Sequence, residues 1–163
     1  MSVNPSPASA EAKHSKEALR LWLRLLACES MLEQHVRTKL REEFGITLPQ
    51  FDVLAELDYM DKPLSMTELS TQLVVSNGNI TGVVDRLVRD EYVKRLPSPK
   101  DRRVQLIALS EKGSHEFKHM ALQHELWIAD AFEALGVDDI QKITKLLNKA
   151  GDKLKAKFGK SRR

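Results

Sequence analysis

Residues 65–110 carry two short capped helical segments followed by two β-type segments around a basic turn. Ser65 opens a Ser-x-x-Glu capping box, which predicts a helix to about Leu73. Ser76 is a good N-cap for a second helix, predicted over residues 76–90. Because only Val74-Val75 and the cap separate the two helices, they must meet at a tight turn. This is the spacing of a helix-turn-helix.

The second helix of the pair has two different faces. Apolar residues recur at helical spacing from Ile80 to Val88, which predicts that this face is buried. When such a helix lies in the major groove, side chains near its N-terminal end reach base edges and phosphates. We therefore predict DNA contacts for the polar and cationic residues of the other face, with a merely solvated face as the alternative. These residues are Ser76, Asn77, Asn79, Thr81, Arg86 and Arg89.

Residues 92–96 and 104–109 are typical of strands, and a Pro-containing basic turn lies between them. An arginine at the tip of such a hairpin can enter a narrow, electronegative minor groove. A neighbouring carboxylate can orient that arginine through a charge-assisted hydrogen bond. Asp101, Arg102 and Arg103 are therefore predicted to form a DNA-binding wing beside the helix pair.

The helices on either side of this module are predicted to form a homodimer. Residues from about Ser15 to Phe44 lack Gly and Pro, and their apolar side chains cover more than one stripe of a helix. A helix that is apolar on several sides needs cover that a partner subunit can provide. The predicted fold is mainly α with a small β-wing. Its parts are a disordered tail (1–14), an N-terminal dimerisation helix (15–46), a winged helix-turn-helix (47–110), C-terminal dimerisation helices (111–158) and a basic tail (159–163).

The charge distribution is uneven although the net charge of the 163 residues is only +3. Residues 142–163 contain nine Lys or Arg and one acidic residue. Residues 62–103 contain eight Lys or Arg and five acidic residues. A local cluster of positive charge attracts phosphate more effectively than the net charge of the whole chain indicates, because salt screens electrostatic attraction over distance. The C-terminal cations are either a solvated face or a second contact with DNA or a ligand.

The composition also bears on the compartment. The single cysteine, Cys28, excludes an intramolecular disulfide and fits a reducing cytoplasm. No apolar stretch approaches the roughly 18 residues that would span a bilayer, and the N-terminal residues lack the apolar core of a signal peptide. We expect a cytoplasmic protein with no membrane partner and no cofactor.

With these features the chain resembles the MarR family of transcriptional regulators over nearly its whole length. The stretches that carry the resemblance are "LPQFDVLAEL", "LSMTELSTQLVVSNGNITGVVDRLVRDEYVKR" and "DRRVQLIALSEKG". Two positions depart from the family pattern: Glu91 replaces the usual Gly before the wing, and Ser110 replaces the usual Thr. The resemblance implies a homodimer on a pseudo-palindromic double-stranded operator, usually as a repressor released by a small ligand. It also implies that Arg103 is the minor-groove residue and that the helix at 76–90 reads the major groove.

The effector prediction rests on a further resemblance. Residues 19–57 look like a branch that responds to aromatic acids or their CoA thioesters, such as hydroxycinnamoyl-CoA. An apolar slot between the first helix and the winged module, with arginines to hold a carboxylate or phosphate, would suit such a ligand. The predicted ligand residues are Trp22, Arg24, Met31, Arg37, Phe51, Met60, Met66 and Trp127. The alternative is an ordinary core and a solvated cationic face.

Two rival sites stay open. His115, Glu116 and His119 spell the H-E-x-x-H pattern of zinc proteases on a predicted helix. A hydrolase needs a third ligand and a cleft, so an enzyme is not expected, whereas a zinc sensor that also uses His124, His35 or Cys28 is an alternative. Cys28 is expected to be a small core residue, with redox sensing as the alternative.

Overall fold

The computed structural model describes residues 7–73, 80–101 and 103–159. It is mainly helical with a small antiparallel sheet, which confirms the predicted fold class. The elements are α1 (Pro7–Phe44), α2 (Leu48–Met60), β1 (Leu64–Ser65), α3 (Met66–Gln72), α4 (Ile80–Arg89), β2 (Val93–Pro97), β3 (Gln105–Leu109), α5 (Glu111–Ala131) and α6 (Val137–Phe158).

The chain divides into two compact units between Glu125 and Leu126. The first unit holds α1 to α4, the sheet and most of α5, and the second holds the end of α5 and α6. Among the described helices, none is both long enough and apolar enough to cross a membrane.

The described part of helix α1 reaches back to Pro7, although residues 1–14 were predicted to be a disordered tail and the helix to start near Ser15. The Ala, Glu and Lys residues that follow are strong helix formers. The helix ends at the predicted place, where Gly45 adopts a φ of 68° and its N–H donates to the Arg41 carbonyl oxygen at 3.1 Å.

Helices α2 and α3 begin at the two predicted capping boxes. The Gln50 side chain accepts a hydrogen bond from the Thr47 backbone N–H at 2.9 Å. At the start of α3, the Ser65 hydroxyl accepts from the Glu68 N–H at 3.2 Å, and the Glu68 carboxylate accepts from the Ser65 N–H at 2.8 Å. The Ser65 backbone N–H and, at 2.7 Å, the Ser65 hydroxyl both donate to the Glu68 carboxylate and hold the pKa of Glu68 below its usual value. Both helices then bury apolar side chains in the core, including Leu54 and Leu69.

Helix α4 completely buries Val84 and Leu87 of the predicted apolar stripe, whereas Ile80, Val83 and Val88 are half-buried. It ends in a Schellman motif, in which the Tyr92 N–H donates to the Leu87 carbonyl at 2.9 Å and the Glu91 N–H to the Val88 carbonyl at 3.1 Å. Glu91 adopts a φ of 63° at the position where the family pattern has glycine. Glutamate in place of glycine at position 91 therefore leaves the end of α4 intact, but a residue with a side chain now adopts the left-handed backbone conformation.

We expect Glu91→Gly to raise the free energy of unfolding by roughly 0.5–1 kcal/mol. A non-glycine residue in the left-handed region costs about 1–2 kcal/mol, and the greater freedom of glycine in the unfolded chain offsets about half of that gain. Urea denaturation measures the change. The matched control Glu42→Gly lies inside α1 at an exposed helical position and should lower the same free energy by about 1 kcal/mol. A destabilised Glu91→Gly variant would contradict the expectation.

The sheet has the strand order β1-β3-β2 and is antiparallel throughout. Strands β2 and β3 form the predicted hairpin, with Val93 opposite Leu109 and Pro97 opposite Gln105. Strand β1 was not predicted, because two residues are too few to show an alternating pattern. This short strand pairs Leu64 with Ile107 and so attaches the start of α3 to the hairpin.

Candidate nucleic-acid interface

The outward face of α4 carries the described DNA-contact candidates of the helix pair. Thr81, Arg86 and Arg89 are exposed, while the opposite stripe lies in the core. Because Thr81 lies in the first turn and the arginines one to two turns later, the three can meet successive parts of a groove. Ser76, Asn77 and Asn79, and the predicted Val74-Val75 turn, lie outside the described residues. Their role stays a prediction.

The tip of the β2–β3 hairpin presents Arg103 to solvent. Its side chain is 93% exposed, and its Nε lies 3.4 Å from Oδ1 of Asp101. The same oxygen accepts a hydrogen bond from the Arg103 backbone N–H at 3.0 Å, and the Asp101 carbonyl accepts from Val104 N–H at 2.9 Å. Asp101 thus forms an Asx turn that holds the backbone of Arg103 and lies beside its guanidinium. Arg102 lies outside the described residues.

An ion pair ties α4 to the hairpin. The Arg95 guanidinium of β2 donates to the Asp85 carboxylate of α4, and both side chains are about half exposed. An exposed pair of this kind adds little to stability, but it links the outward face of the helix to the strand that leads into the wing. Neither residue was predicted to belong to the site. Asp85 lies on the polar face of α4, but no helix or strand spacing pairs it with a residue ten positions later.

The seven predicted ligand residues of the first compact unit, which are all except Trp127, do not come together at one place. Phe51 and Trp127 are each only 7% exposed, and Phe51 packs against the Phe117 ring at 5.5 Å and the His124 ring at 5.1 Å. Trp22 and Met31 are more than half exposed on α1. Arg24 and Arg37 are exposed, and Met60 and Met66 are half-buried. Their assignment to an effector stays a prediction.

In the described part of the chain, one surface cavity lies beside the DNA-contact candidates. This wing cavity has a volume of about 360 Å³ and is lined by α3, α4, the hairpin and its loop, including Met66, Thr81, Arg95 and Arg103. A second, of about 370 Å³, lies between the end of α2, the sheet and the start of α5. A third, of about 390 Å³, lies between α3 and the hairpin loop. Met66 is the only predicted ligand residue that lines any of the three.

Asp52 of α2 is a half-buried carboxyl close to charges of α1. The pKa of Asp52 is raised from 3.8 to about 6, mainly by burial and also by the negative charge of Glu33, whereas Arg37 opposes the shift. Arg37 forms an ion pair with Glu33, which lowers the pKa of that exposed carboxyl. The predicted ligand residue Arg37 is therefore already engaged by an acidic neighbour.

We expect the contribution of Asp52 to stability to decline as pH rises from about 4 to above 6. A carboxyl whose pKa is raised by folding binds its proton more tightly in the native state, so ionisation in this window favours unfolding. Asp52→Asn cannot ionise, and its advantage over wild type in urea denaturation should grow through the window and then level off. The matched control is Asp58→Asn, at an exposed position of the same helix. A constant difference between Asp52→Asn and wild type would contradict the assignment.

The histidines and the cysteine do not form a metal site in the described part of the chain. No group of three or more His, Cys, Asp or Glu side chains is placed there to hold an ion. The His119 ring packs edge-on against Phe44 at 5.4 Å, while the His115 side chain is 85% exposed. Cys28 is exposed in the single chain, so the expectation of a small core residue was wrong. It lies on a part of α1 whose apolar side chains are not covered by the rest of the chain.

A short helix pair with an antiparallel hairpin beside it defines a winged helix-turn-helix protein. The sequence profile of the MarR family matches residues 46–104. The uncharacterized HTH-type transcriptional regulator YkoM of Bacillus subtilis is 32% identical over 141 residues, which are 86% of this chain and 88% of YkoM. The transcriptional activatory protein BadR of Rhodopseudomonas palustris is 34% identical over 115 residues, 69% of this chain and 65% of BadR.

Comparison of structures gives the same result. The crystal structure of a MarR family transcriptional regulator from Silicibacter pomeroyi superposes with a TM-score of 0.76 at 27% identity, over 86% of this chain and 97% of that one. The chain belongs to the MarR family of transcriptional regulators. Members of this family are dimeric DNA-binding proteins, and the protein is not an enzyme.

Proposed function

We propose that the protein is a homodimeric repressor that binds a pseudo-palindromic operator and leaves it when a small aromatic acid or aryl-CoA thioester binds. The observation that carries the DNA part is the wing tip, where an almost fully exposed Arg103 is held by Asp101 beside the polar face of α4. In this arrangement α4 lies in the major groove and Arg103 enters the adjacent minor groove. Two such modules related by a two-fold axis read half-sites about one helical turn apart.

The apolar faces of the terminal helices support the homodimer. On α1, the side chains of Leu19, Trp22 and Leu23 are more than half exposed in the single chain. No residue of α6 is buried, although Ile143 and Leu147 lie on one apolar face of it. Exposed apolar surface of this extent on a monomer marks an interface. A second copy of the chain is the partner proposed for both helices.

The wing cavity supports release by a small acid. Its volume of about 360 Å³ suits a single aromatic ring with a short side chain. Met66 and Val104 offer apolar contact, and the exposed guanidinium of Arg103 can meet a carboxylate. A ligand there would occupy Arg103 and Thr81, which are the residues proposed to touch DNA. We place the effector in this cavity rather than in the slot beside α1 that the sequence suggested.

The test starts with gel-shift assays on the DNA upstream of the protein's own gene. Aromatic acids, hydroxycinnamates and aryl-CoA thioesters are then titrated into the protein–DNA complex. Wild type should release the DNA with at least one of these compounds, and failure of all of them would refute the effector class. A transcription assay with the same DNA tests the direction of regulation, because activation instead of repression would refute that part.

The site of the effector is tested with matched variants. Met66→Ala should raise the effector concentration needed for release, whereas Trp22→Ala and Met31→Ala should leave that concentration unchanged. The reverse pattern would place the effector beside α1. Operator affinity without effector is measured for each variant, so that a change in DNA binding is not mistaken for a change in release.

A further inference from the structure

The first turn of α5 lies against the residues that follow α4, although the partners are 18 to 22 positions apart in the chain. The Ser110 hydroxyl donates to the Glu91 carbonyl oxygen at 2.6 Å and lies 3.1 Å from that of Tyr92. The same hydroxyl accepts a hydrogen bond from the Gly113 N–H at 2.8 Å. One side chain therefore caps α5 and ties its N-terminus to the end of α4.

Lys112 forms a second tie between the two helices. Its Nζ donates to the Asp90 carbonyl oxygen at 2.9 Å and lies 5.0 Å from the centre of the Tyr92 ring. A cation stabilises the carbonyl groups at the C-terminus of a helix, and it is attracted to the face of an aromatic ring. Because this cation belongs to another helix, it favours one arrangement of α4 and α5 over others.

Gly113 forms the third contact, through its lack of a side chain. A Cβ atom at this position would lie 1.8 Å from the Tyr92 carbonyl oxygen and 2.8 Å from the Tyr92 carbonyl carbon. These are backbone atoms, which cannot rotate away as a side chain would. Only glycine allows α5 to approach the start of β2 this closely.

We name Ser110, Lys112 and Gly113 the α5 clamp, and we propose that it positions α4 for reading base edges. The proposal rests on the proposed function, in which α4 lies in the major groove. The ten residues of α4 span about 15 Å, so a tilt of about 10° at its clamped end displaces the other end by about 2.5 Å. Hydrogen bonds are lost over a fraction of that distance.

The α5 clamp therefore sets operator specificity more than general affinity for DNA. Phosphate contacts supply most of the non-specific binding, whereas base contacts distinguish sequences. The bonds of the clamp are made to the backbone of Asp90, Glu91 and Tyr92, and none of its three residues has to touch DNA for this role. Ser110, Lys112 and Gly113 are positioning residues.

The experiment measures the Kd of full-length variants for an operator obtained by selection from random duplexes, and for an unrelated duplex of equal length. The variants are Ser110→Ala, Lys112→Gln and Gly113→Ala, assayed well below their melting temperatures and over a series of KCl concentrations. Ser110→Thr and Lys112→Arg are the conservative partners that can restore the contacts. Lys118→Gln, an exposed lysine further along α5, is the charge-matched control.

We expect the operator Kd to rise about 10-fold for Ser110→Ala and Lys112→Gln, and more for Gly113→Ala if that variant folds. The Kd for unrelated duplex and the salt slope should stay unchanged, and Ser110→Thr, Lys112→Arg and Lys118→Gln should bind as wild type does. Unchanged operator Kd in Ser110→Ala and Lys112→Gln would overturn the proposal. A salt slope reduced by about one per subunit in Lys112→Gln would also overturn it, since Lys112 would then be a phosphate contact.

The outcomes separate this proposal from the one on which it rests. If Arg103→Ala loses the operator while the clamp variants keep it, the α5 clamp has no positioning role and the proposed DNA interface stands. If wild type selects no sequence from random duplexes, both proposals are refuted.

Discussion

Arg103→Ala is expected to weaken operator binding at least about 30-fold and to flatten its salt dependence. One lost DNA contact costs roughly 1–3 kcal/mol, and a dimer loses two such contacts, so the lower bound of about 2 kcal/mol corresponds to this factor. The side chain is 93% exposed and its backbone is held by Asp101, so its removal leaves the fold of the hairpin in place. Titrations at several KCl concentrations give both the Kd and the slope.

Two comparison variants separate the effect of losing a positive charge from the effect of losing the Arg103 guanidinium. Lys118→Ala removes one exposed cation outside the wing and should change the Kd little. Arg103→Lys keeps the charge but not the planar guanidinium, and an intermediate Kd would indicate that geometry contributes as well. Wild-type affinity of Arg103→Ala at every salt concentration would refute the assignment of the wing.

Ile143→Asp with Leu147→Asp on α6 is expected to convert the dimer to monomers and to raise the operator Kd by a factor of about 100 or more. The two side chains are 46% and 43% exposed in the single chain, so each presents nearly half of its surface to a partner. Two new charges from each subunit in an apolar interface are strongly disfavoured. A monomer meets one half-site at a time and loses the effective concentration that linkage provides.

Sedimentation velocity and gel-shift assays measure these two effects on the same samples. The matched control is Gln141→Asp with Asn148→Asp, which adds the same charge to exposed polar positions of α6. The control should stay dimeric and bind as wild type. A dimeric Ile143→Asp/Leu147→Asp protein would show that this face of α6 is not the interface.

The local features of the fold followed from the sequence because neighbouring residues determine them. The capping box at Ser65 and Glu68 and the buried stripe of α4 depend on contacts within a few positions of the chain. The fold class was predicted for the same reason. The left-handed residue at Glu91 was foreseeable only as a departure from a family pattern, since glutamate itself gives no signal for a positive φ.

Contacts between segments that are far apart in the sequence could not be predicted from local patterns. The tie from Lys112 to Asp90 spans 22 positions, and nothing in either segment alone indicates it. The exposure of Cys28 depends on which helices cover α1, and a helical pattern does not reveal that. Likewise, Phe51 and Met66 have similar hydrophobicity, yet the first lies in the core and the second lines the wing cavity.

The uncovered apolar side chains of α1 and α6 link folding to the amount of protein present. If a second copy covers them, mass action makes the melting temperature rise with protein concentration, because association stabilises only the folded chain. Dilution then removes operator binding and stability together. In a cell that holds few copies of this regulator, unassembled chains would therefore unfold before dimers do. Single DNA-binding modules would then not occupy half-sites.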